Sequence, residues 1–156
     1  MYRSLLFCVL LLPSLGFGQI FEITFYIKDL DCPYCHKAIL TQLEKVPGIA
    51  QCTIFDKEGS IHIEWSGELP FQSSQFFKLL RQEDYCLKTI EIDLEGQIEE
   101  KKKALILYSE PDTSFFFIDR QSPGVSQLRT GDLIRVRGEV TQEHGNNILT
   151  VKEIIQ

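Results

Sequence analysis

Helical periodicity stops at Leu94 in this 156-residue chain, and everything after that point reads as short strands. Before it the order is mixed. "IFEITFYI" (20–27) alternates and is rich in aromatic and β-branched residues, which predicts a strand. Cys35, Ile39, Leu43 and Val46 then recur at helical spacing until Pro47 and Gly48 close the run. "AQCTIF" and "SIHIEW" predict two strands around a turn ending in Gly59. "SSQFFKLLRQ" predicts a helix capped by Ser73 or Ser74, and "CLKTIEIDL" predicts a fourth strand. The order is β-α-β-β-α-β, the ferredoxin-like split motif. Beyond it "ALILYS", "SFFFIDR", "DLIRVRGEV" and "NILTVKEI" are separated by turn signals at "SEPD", "QSPG", "RTGD" and "EHGNN". The closing phrase resembles the last strands of an OB-fold barrel. About 60 residues is marginal for an independent barrel, so this part is expected to pack on the first or to borrow its fourth strand. The expected class is α+β: a ferredoxin-like domain over 19–95, then a small all-β OB-like module over 96–156.

Residues 1–18 fall outside that plan. "MYRSLLFCVLLLPSLGFG" carries one cation, an apolar run from Leu5 to Leu12, a break at Pro13, and Gly16 and Gly18 at the −3 and −1 positions. That is the layout of a secretory signal peptide cut before Gln19. The apolar run is shorter than the about 20 residues that cross a bilayer. The expected location is therefore periplasmic or secreted, with no membrane span after cleavage. Charge shifts along the chain: 7 Lys/Arg face 13 Asp/Glu over 19–96, and 8 face 9 over 97–156. The overall net charge of −6 gives no pull toward nucleic acid or anionic membranes. The acidic first part instead predicts a basic docking face on a partner.

Four cysteines remain after Cys8 leaves with the signal. The expected topology puts Cys32, Cys35 and Cys86 at one end of the domain and Cys52 at the other. A Cys52–Cys86 disulfide, which needs Cα atoms within about 7 Å, is thereby disfavoured. Cys52 falls in phase with Ile54 and reads as a small buried hydrophobe. Cys32 and Cys35 open a helix as Cys-Pro-Tyr-Cys. A disulfide closing so short a loop removes little chain entropy, about 2 kcal/mol at most, so the pair is read for its chemistry. As a redox couple it resembles the glutaredoxin active site, since a helix N-terminus lowers a thiol pKa. Against that, the strand after the first helix leads straight into a hairpin, with no proline loop facing the cysteines.

As a metal clamp, two thiolates at a helix N-terminus make a soft, low-coordinate site. The stretch "DLDCPYC", followed by Ile39, Leu43, "VPGI", Cys52, Ile54, "SIHIEW" and "DYCLK", resembles the heavy-metal-associated domain family of copper chaperones and the periplasmic mercury-binding protein. The likeness covers residues 20 to about 94. It departs from the family at Asp29 and Leu30, where glycine and methionine are usual, although Leu30 can pack beneath the loop. The resemblance implies capture and hand-over of a soft metal ion, Cu(I), Zn(II) or Hg(II), by ligand exchange and without catalysis. The implied cofactor is Cu(I) or Zn(II). Cys32 and Cys35 are the primary ligands, Cys86 a third sulfur if it turns inward, and Asp31 resembles the aspartate of zinc-type members. The implied partner is a metal transporter or another metal-binding protein, and the chain is expected to be a monomer. The alternative is a thiol–disulfide oxidoreductase using the same pair.

Overall fold

A computed structural model describes residues 18–28, 30, 33–82, 85–110 and 112–155. The expected signal segment, up to residue 17, lies outside the described residues. Eight strands and two helices follow in order: β1 (Gln19–Lys28), α1 (Pro33–Leu43), β2 (Ile49–Phe55), β3 (Ser60–Trp65), α2 (Ser73–Gln82), β4 (Cys86–Lys101), β5 (Ala104–Ser109), β6 (Ser114–Ile118), β7 (Leu133–Glu143) and β8 (Asn146–Ile155). All eight strands hydrogen-bond into one sheet, ordered β2-β3-β1-β4-β5-β6-β8-β7, and β7 returns to pair with β4. That return closes β4, β5, β6, β8 and β7 into a five-strand barrel. The β6–β8 contact is parallel and the other four are antiparallel. The barrel is OB-like, as the tail's strand pattern suggests.

The expected α+β class, with a ferredoxin-like domain standing ahead of the barrel, is corrected. The chain is mostly β, with two α-helices on a sheet that runs into a closed barrel. The physical reason is the length of β4. Its first part pairs with β1, from Gln19↔Glu95 to Lys28↔Cys86. Residues Ile90 to Gln97 pair on β7, and Gln97 to Lys101 continue onto β5. One strand therefore supplies backbone partners to both halves. Gly96 sits where it passes between them. A Cβ there would lie 2.6 Å from the Tyr108 carbonyl oxygen, so only glycine fits this close approach.

Burial follows the same continuity. Ile23, Phe25 and Ile27 of β1 point inward, while Glu22 and Tyr26 lie on the opposite face. Ile39 and Leu43 of α1 and Phe76 and Leu80 of α2 join them in one buried cluster that also holds Leu107, Phe116, Val136 and Leu149 of the barrel. Aromatic rings bridge the two regions. Phe71 stacks on Phe76 at 5.5 Å between centroids and on Phe116 at 6.0 Å. A polar clamp accompanies the rings. The Asn147 side-chain carbonyl accepts from the Ser73 backbone N–H and hydroxyl at the start of α2, and its amide donates to the Phe71 carbonyl. A barrel hairpin thus caps a helix of the first half. On the outer face, Asp93 is only 5% exposed and receives two bonds from Arg135, at 2.7 and 3.1 Å, and one from Arg137.

Lys101 to Lys103 form the β4–β5 hairpin. Lys102 and Lys103 adopt φ of 50° and 68° between the paired residues Lys101 and Ala104. Two-residue turns with both φ positive favour Asn-Gly, and a left-handed non-glycine residue costs about 1–2 kcal/mol. The double substitution Lys102→Asn, Lys103→Gly is therefore expected to raise unfolding stability by about 1–2 kcal/mol. Urea denaturation reads the gain as a higher midpoint at unchanged slope.

Candidate functional site

The site grows from the start of α1. Pro33 begins the helix because its fixed φ suits the first helical turn and its missing N–H costs nothing there. Cys35 follows in that turn, half-buried, and Tyr34 beside it is 90% exposed. No acidic residue lies in the first turn of α1. Leu30 is buried in the core cluster at 2% exposure.

Two contacts fix this turn. His36 Nε2 lies 2.6 Å from the Leu30 carbonyl oxygen, tying the helix back to the end of the loop. Tyr85 Oη donates to the Cys35 carbonyl oxygen at 3.1 Å, and the Tyr85 backbone N–H donates to Leu80 O of α2. Tyr85 is thus held against the start of α1. No spacing signal marks the His36 contact, because it depends on the path of the loop.

Of the expected site residues, Asp31 and Cys32 lie outside the described residues. Cys35 stands as given above. Cys86 is exposed at the first position of β4, opposite Lys28. With Phe77, Arg81, Tyr85 and Leu87 it lines a surface depression of about 370 Å³ on the α2 side. Tyr85 and Leu87 both pack on the core, and neighbouring strand residues point to opposite faces, so Cys86 is turned away from it. Among the described residues no group of three or more His, Cys, Asp or Glu side chains comes together to hold a metal. The expectation of a metal-binding group is corrected to that extent, while Cys86 as a third sulfur beside Cys32 and Cys35 is not tested by it, since Cys32 and Asp31 lie outside the described residues.

Cys52, expected from its phase with Ile54 to be buried, is half-buried at the edge of the core. Burial, with a smaller push from the Glu44 charge, raises its thiol from 9.0 to about 11. His62 lies on the outer sheet face, 2.9 Å from Glu22 Oε1, and His144 sits in the β7–β8 turn. No helix among the described residues is long and apolar enough to cross a membrane.

The two described thiols outside the CxxC turn differ in exposure, and that difference is measurable. Cys86 is expected to be alkylated readily by iodoacetamide at mildly alkaline pH, while Cys52 stays protected until the fold opens. Mass spectrometry of digested peptides checks this. Because the Cys52 thiol is neutral in the folded state to about pH 11 and ionises sooner when unfolded, it contributes a loss of stability between pH 9 and 11. Cys52→Ala is expected to flatten that part of the profile. No family model, curated protein or solved structure matches the chain, so its site is read from its own residues.

Proposed function

We propose that Cys32 and Cys35 form a thiol–disulfide exchange centre acting on disulfides of exported proteins. The observation that carries it is that α1 begins one residue after Cys32 with no carboxylate in its first turn. Cys32 directly precedes this 11-residue helix in sequence, and a thiol close to a helix N-terminus is stabilised as thiolate by the unsatisfied N–H groups and the helix dipole. Cys35, one turn in and half-buried, suits the resolving role, and Tyr34 leaves the approach open.

The exchange balances as follows. The Cys32 thiolate attacks one sulfur of the partner disulfide, forming a mixed disulfide and releasing a partner thiolate, which takes a proton from water. The Cys35 thiolate then attacks Cys32 Sγ and expels the second partner thiolate. A Cys32–Cys35 disulfide remains, and two electrons have passed to the partner. The bonds from His36 to Leu30 and from Tyr85 to Cys35 hold the turn while the sulfurs change state.

The experiment is reduction of a model disulfide-linked peptide by the metal-free, reduced protein. The proposal expects turnover lost in Cys32→Ser and a trapped mixed disulfide on Cys32 in Cys35→Ser. If the reduced protein leaves the model disulfide intact and instead binds one Cu(I) per chain through both sulfurs, exchange is overturned. A second probe is Tyr85→Phe, which removes only the hydroxyl bonded to the Cys35 carbonyl. It is expected to slow resolution several-fold while leaving the first attack unchanged.

A further inference from the structure

We infer that β2 is a self-association edge, pairing antiparallel with β2 of a second copy of this chain about a two-fold axis at Thr53. Barrel closure returns β7 to β4, so among the described residues β2 alone ends the sheet with a single neighbouring strand, β3. An open strand presents a row of unpaired N–H and C=O groups. Proteins usually guard such a row with charge, proline or a covering segment. "IAQCTIF" contains neither a charged residue nor a proline.

The strand is complementary to itself. A bulge separates Ile49 from Gln51, and from Gln51 to Phe55 the register with β3 is regular, which puts Thr53 at the midpoint. Gln51, Thr53 and Phe55 are exposed on one face, with Phe55 40% accessible, while Cys52 and Ile54 are half-buried on the other. A two-fold axis at Thr53 sets Thr53 against the partner's Thr53 and Cys52 against the partner's Ile54, extending the apolar layer across the seam. Gln51 meets the partner's Phe55. No charge faces a like charge within the pairing. A strand of a different protein would need a matching pattern; a second copy carries it already. The net charge of −6 on each copy opposes approach at long range, so association strengthens as salt screens it.

The test is mass measurement by light scattering over a concentration series, for wild type and for T53K and T53E. Thr53 is exposed, so both variants keep the folded face intact. Wild type is expected to double in mass with rising concentration, and more readily at higher salt. T53K alone and T53E alone place like charges across the axis and are expected to stay monomeric, whereas an equimolar mixture is expected to regain the doubled mass. Hydrogen exchange on wild type gives a check that needs no variant: the β2 amides alone should gain protection with concentration. A wild type that stays monomeric, a T53K that still doubles, or a mixture that fails to recover would each overturn the inference.

Discussion

The hydrogen bonding of β4 on both of its edges is the constraint from which the rest of the molecule follows. Once β1 occupies one edge as far as Glu95 and β7 the other from Ile90 onward, the two halves cannot be parted without breaking main-chain bonds. Buried backbone groups left unpaired are costly, so the sheet and the barrel are compelled to form together. The barrel needs this arrangement more than the sheet does. A tail of about 60 residues buries too small a core for secure independence, and it takes its first strand and the Phe71 stack from the preceding half.

That dependence also reaches the cysteine turn. Tyr85 stands immediately before β4, and its hydroxyl grips the Cys35 carbonyl. The strand that closes the barrel therefore also fixes the segment that braces the start of α1. In the proposed exchange, a brace on the Cys35 backbone leaves its side chain free to close on Cys32, keeping the resolving sulfur within reach of the mixed disulfide.

Much of this was legible element by element. "SIHIEW", "SSQFFKLLRQ" and "ALILYS" match β3, α2 and β5 because their periodicity is clean and Gly or Ser marks their ends. The joining of elements was not legible. β4 runs on through Glu99, Glu100 and Lys101, whose charges give no alternating apolar signal. The hairpin after it turns on two lysines in place of the glycine and asparagine that announce such a turn. The division into a ferredoxin-like domain and a module thus came from a sequence gap that the backbone bridges. At the site, the exposure of Cys86 depends on which face of a strand one residue occupies, which the spacing of cysteines alone does not fix.

The sharpest measurement is equilibrium unfolding followed at once by Trp65, the single tryptophan, which lies in β3, and by amide exchange of β7 and β8 in the barrel. One cooperative unit sharing β4 requires both probes to report a common midpoint and a common opening free energy. Loss of the Trp65 signal while β7 and β8 keep full protection would contradict it.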